Sequence, residues 1–162
     1  MWISVLFLLF ALVWVVVSVF GPYSPVRNRF AKITAGRVGQ PEYSQEVFSE
    51  KDLEGLPAPV QRYFRHSGYL GTRKMSAMRA YFKDVDFVMS ESRTLKIDYQ
   101  QLNLVSRPDR FALISSSLHG IPFEGLDTFE NGKGSMRGWL ARYIPLFDQQ
   151  GEAMDKSSLV TW

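Results

Sequence analysis

"LKIDYQQLNLVSRPDRFALISSS", residues 95–117, is the stretch on which the fold turns. Leu95, Ile97 and Tyr99 alternate with Lys96 and Asp98, the period-2 pattern of a strand with one face on a core. The alternation slips at Gln100 and Gln101 before Leu102 and Leu104. A one-residue slip sends side chains to the other face, so a β-bulge is expected there. Arg107, Pro108 and Asp109 are turn chemistry, after which Phe111 and Leu113 resume the alternation. It fades into Ser115 and Ser117, so this strand is expected to run out to an exposed rim.

The same texture extends on both sides. "MSAMRAYF", "DFVMSES" and "IPFEGLDTF" are short runs of aromatic and branched residues, separated by "KDVD", "HGIP" and "ENGKG". Turn residues at such regular spacing predict an antiparallel meander. Beyond Gly134 the apolar residues Met136, Trp139, Leu140 and Tyr143 fall at helical intervals, which predicts a helix over 135–144 ended by Pro145. Upstream, "LPAPVQRYFRHSG" predicts a helix over 58–67. Pro57 and Pro59 suit its first turn, Val60, Tyr63 and Phe64 form one stripe, and Gly68 can close it. Asp155 is a cap candidate for a last helix over 154–162, which Trp162 leaves unfinished. The expected class is α+β: one antiparallel meander sheet, curved or forming a partial barrel, covered on one face by these helices.

The N-terminus is of another kind. Trp2 to Phe20 carries no charge and only Ser4 and Ser18 as polar side chains. A helix of that length spans about 30 Å, the thickness of a bilayer's hydrocarbon core. No basic residue precedes it and no small-residue cleavage site follows it, so a retained anchor is favoured over a cleaved signal. Arg27, Arg29, Lys32 and Arg37 follow before the first acid, Glu42, which places the following domain on the cytoplasmic side of a single-pass cell-membrane protein. Pro22, Pro25, Gly36, Gly39 and Pro41 punctuate what reads as a weakly ordered connector. The expected organisation is an anchor at 1–21, a connector at 22–54 and an α+β domain at 55–162.

Composition narrows the function. The 162 residues include no cysteine, which excludes disulfides, a thiol nucleophile and a Cys-ligated zinc site. A net charge of +3 is too small to point to nucleic acid as a partner. His66 and His119 lack metal-ligand spacing. "NGKGSMRG" misses both phosphate-loop patterns, and Glu124, Asp127 and Glu130 read as a solvated acidic turn. No cofactor is implied, and no catalytic residue can be named.

Three stretches together, "LPAPVQRYFRHSG", "LDTFENGKGSMRGWLARYIPL" and "QQGEAMDKSSLVTW", resemble a bacterial family of membrane-anchored or secreted domains of unknown function. The matching positions are Leu56, Pro57, Val60, Arg62, Tyr63, Asp127, Gly132, Gly134, Met136, Gly151, Glu152, Ser158 and Leu159. The resemblance implies that the chain is the N-terminal part of a longer domain. It lends no activity to any residue.

Three functions are open on these grounds. The first is a non-catalytic, membrane-anchored domain holding an apolar or lipid-like ligand between sheet and helix, its pocket drawn from Phe111, Leu113, Trp139 and Tyr143. The second is a membrane-tethered protein-interaction module, and the third an enzyme of unknown type. The partners expected are the bilayer and, for the first reading, a lipid.

Overall fold

The computed structural model describes residues 2–38, 45–105 and 107–161. Two helices lead: α1, Trp2–Phe20, and α2, Pro25–Val38. A short 3-10 turn at Glu50–Leu53 and helix α3, Ala58–His66, follow. Then come six strands, β1 Ala77–Ser90, β2 Arg93–Leu104, β3 Asp109–Leu118, β4 Ile121–Glu130, β5 Lys133–Leu140 and β6 Ile144–Gln150, and finally α4, Glu152–Thr161.

The strands form one antiparallel sheet in the order β1-β2-β3-β4-β5-β6, an open meander not closed into a barrel. The α+β class read from the sequence is the class observed. Two of its hairpins rest on left-handed residue pairs: His119 and Gly120 at φ 52° and 80°, Asn131 and Gly132 at 52° and 75°. Both residues left-handed is the geometry whose twist matches a hairpin.

Asn131 and Gly132 also explain why 135–144 is not a helix. They turn the chain straight back onto β4, so Glu130 pairs with Lys133 and Phe123 with Leu140. The apolar residues at helical spacing are strand residues on alternate faces. Ser135, Arg137 and Trp139 lie on one face, Met136 and Leu140 on the other, because both faces of this sheet are covered. Tyr143 stands in the β5–β6 turn.

The bulge also lies elsewhere. Asp98 to Leu104 pairs with β3 without a break, and the register shifts fall in β1, between Phe82 and Val85 and between Val88 and Ser90. The slip at Gln100 is a change in which face is buried. Leu102 and Leu104 face α2, whereas Ile97 and Tyr99 face the opposite way.

Pro25–Val38 is a helix, where its Pro and Gly residues had suggested weak order. Pro25 sits at the first helical position, where its missing N–H costs nothing. Val26 and Phe30, with Ile33 beside them, pack on Leu102, Leu104, Phe111, Leu113 and Leu126 to make the core. Helix α4 lies on the other face. A Cβ on Gly134 would stand 2.5 Å from the Met154 carbonyl oxygen and from Ser158 Oγ. The helices thus divide between the two faces. Helix α3 packs within its own lobe, its Phe64 5.5 Å from both Phe48 and Tyr69 between ring centres.

Helix α1 is long and apolar enough to cross a membrane, and none of its residues is buried against protein.

Candidate functional site

The site is built by the way α2 is fastened to the sheet. Ser24 caps the helix: its Oγ accepts the Arg27 N–H at 3.1 Å. The same hydroxyl donates to Oε2 of Glu124, a β4 carboxylate only 2% exposed. Arg27 Nε donates to the other carboxylate oxygen at 3.0 Å. At the far end of α2, Arg37 pairs with Glu130 and lies 4.4 Å over the Phe111 ring. In the β5–β6 turn, Arg142 Nη1 donates to the carbonyls of Gly21 and Tyr23, each at 2.5 Å. Ala141 and Arg142 sit at φ 50° and 70°, a strained backbone for residues with a Cβ. The bonds to the α1–α2 junction hold that conformation in place.

The three acids read as a solvated turn are therefore strand residues, each paired with an arginine. Glu124 takes Arg27, Glu130 takes Arg37, and Asp127 takes Arg110 at 2.7 Å on the opposite face. Burial pushes the Asp127 carboxyl above its ordinary value, against the pull of Arg110.

Helix α2 covers β3 and β4 but leaves space beside β1 and β2. A cleft of about 610 Å³ opens there. Phe30, Ala31 and Leu113 give it an apolar floor, and Arg27, Arg79, Tyr81 and Gln100 a polar rim. Register explains the rim. Arg79 pairs with Leu102 and Tyr81 with Gln100, so both side chains project from the face that α2 occupies. Arg79 is exposed and has no hydrogen-bond or ion-pair partner among the described residues. Two guanidinium groups over an apolar floor suit an anionic head on a hydrocarbon body. Among the described residues no three His, Asp or Glu side chains are grouped to hold a metal ion.

Phe111 and Leu113 lie under α2, 1% and 2% exposed, with Trp139 half-buried against the same core. Of the four residues expected to line a pocket, Leu113 reaches the cleft, while Tyr143 is 49% exposed in its turn. Arg62 and Tyr63 are exposed on α3 and do not line the cleft. Gly132 forms the β4–β5 turn, and Gly134 lets α4 approach β5. Met136 is half-buried opposite Asp127, and Glu152 forms a surface pair with Lys156 at 2.7 Å. The cleft residues Arg27, Arg79, Tyr81 and Gln100 were not singled out as a site in the sequence. Ser24 followed by Pro25 was the readable signal, since it announces a capped helix.

Residues 46–162 match the family DUF6544, a family of unknown function, and the chain belongs to it. No curated protein and no solved structure matches the chain.

Proposed function

We propose that this is a single-pass membrane protein, anchored by residues 1–21, that holds an amphiphile with an anionic head in the cleft between α2 and the sheet. The observation that carries the reading is the cleft itself: an apolar floor beneath two arginines, the paired Arg27 on the helix that directly follows the apolar segment and the unpaired Arg79 on β1. The head would take Arg79 and Arg27, and the hydrocarbon would lie along Phe30, Ala31 and Leu113. Domain and cleft are assigned to the cytoplasmic side, on the strength of Arg27, Arg29, Lys32 and Arg37.

The full chain in phosphatidylcholine nanodiscs, titrated with a fluorescent long-chain fatty acid, tests the ligand. Saturable binding beyond that of empty nanodiscs is expected, weakened about tenfold or more by Arg79→Glu, since a charge-assisted contact is replaced by repulsion. Uptake equal to that of empty discs, or equal in the variant, refutes it. Sidedness is tested on Lys133→Cys, as the native chain has no cysteine. A membrane-impermeant maleimide should label it only after the cells are lysed.

A second reading, a membrane-tethered interaction module, is favoured by α3. Its Val60 and Tyr63 are 37% and 60% exposed on one stripe, a surface a partner protein would cover. Cross-linking from Tyr63 to a protein partner, with no fatty-acid binding, would select it.

A further inference from the structure

In an antiparallel meander the turns alternate between two ends. The β1–β2, β3–β4 and β5–β6 turns share one end of this sheet, and the β2–β3 and β4–β5 turns share the other. The first end touches the helical segment: Arg142 holds the carbonyls of Gly21 and Tyr23, within three residues of the end of α1. A bond from the Ala141 N–H to the Pro122 carbonyl at 2.7 Å ties the β3–β4 and β5–β6 turns together.

The two ends differ in chemistry. The far turns carry Arg107, Pro108, Asn131 and Gly132, with Val105 their one exposed large apolar side chain among the described residues. The near turns expose apolar groups: Ile121 at 40%, Tyr143 at 49%, Ile144 at 55% and Leu146 at 47%, with Tyr23 at 60% beside them. The polar turn residues at this end are Glu91 and Ser92, in the strand pair furthest from Arg142 in sheet order, and His119 in the β3–β4 turn.

We infer that the edge formed by Tyr23, Ile121, Tyr143, Ile144 and Leu146 lies in the interfacial layer of the bilayer that α1 crosses. The inference rests on the anchor reading of α1 and adds to it. A helix of 19 residues fills the hydrocarbon core, so Gly21 and Tyr23 fall at its boundary. Arg142 fixes the β5–β6 turn to those two residues, and the apolar side chains around it meet the layer where tyrosines and aliphatic groups are favoured. The sheet is then held by its edge on the lipid as well as by the helix. The cleft rim at Arg27 stands close to the headgroups.

The test uses the absence of native cysteine. Full chains bearing Ile144→Cys, Leu146→Cys, Lys133→Cys or Val13→Cys are labelled with a polarity-sensitive fluorophore and placed in phosphatidylcholine vesicles containing nitroxide lipids. Labels at 144 and 146 should emit to the blue and be quenched by a nitroxide near the headgroup, while the label at 133 should behave as in water. The label at 13 should be quenched by a nitroxide deep in the acyl chains. If 13 is quenched but 144 and 146 report water, the edge contact is wrong and the anchor stands. If 13 is not quenched, the anchor reading fails and the inference with it.

Discussion

Ser24→Ala removes one hydroxyl that does two jobs. It caps α2 by accepting the Arg27 N–H, and it donates to the buried Glu124 carboxylate. Loss of an N-cap costs about 1 kcal/mol. Loss of a hydrogen bond to a charged group costs about 1.5–3 kcal/mol. Arg27 still holds one oxygen of Glu124, and its own side chain is 52% exposed, so the ion pair itself adds little to the balance. The sum is about 2.5–4 kcal/mol against docking of α2. Converted at about 1.4 kcal/mol per decade, the α2 amides should exchange hydrogen about 60- to 700-fold faster. The measurement is amide exchange by mass spectrometry on the full chain in nanodiscs. Amides of β3 and β4, protected by strand pairing, should change less. Unaltered exchange across residues 26–37 would refute the claim that Ser24 and Glu124 fasten the helix.

Gly134→Ala should lower the melting temperature through about 1–3 kcal/mol of overpacking, because its Cβ would meet the Met154 carbonyl and force α4 off β5. Phe111→Ala should cost about 3–5 kcal/mol in denaturant titration, as the ring is 1% exposed beneath α2. In the lobe around α3, Lys74 and the N-cap bonds of Ser49 hold the Asp52 carboxyl at about 2, below its ordinary 3.8. A lowered acid stabilises the fold above the unfolded value and ceases to as pH falls through the folded one. The near-UV circular dichroism of Phe48, Tyr63 and Tyr69 should therefore change between pH 3.8 and about 2, and Asp52→Asn should remove that step.

The meander was legible because its signals are local. Alternation at Leu95, Ile97 and Tyr99, and the Asn131–Gly132 pair, each specify strand or turn from neighbouring residues alone. The helix expected at 135–144 failed because an apolar residue every three or four positions is also what a strand covered on both faces displays, and coverage is a property of the finished fold. Helix α2 was missed for the reverse reason. Its Pro25 was read as a breaker, although a proline directly after a serine opens a helix. The cleft was not legible at all. Arg79 and Arg27 come to line one cleft only through strand pairing and helix docking, and nothing in the sequence around either residue records the other.

The fastening of α2 has a consequence for the order of events during synthesis. Every strand pairs with its immediate predecessor, so sheet contacts form between segments close in sequence and need little loop closure. The ties to the helices are of another order: Ser24 meets Glu124 across 100 residues, and Arg142 meets Gly21 across 121. Helix α2 leaves the ribosome well before its acceptors exist. Val26 and Phe30 therefore lie bare until β2 and β3 are made, and the turn that clamps the junction comes later still. A ribosome stalled before Glu124 would carry a helix that can touch β2 and β3 but has no carboxylate to fasten its first turn. Final seating of the domain on its N-terminal segment thus waits until the β5–β6 turn is made.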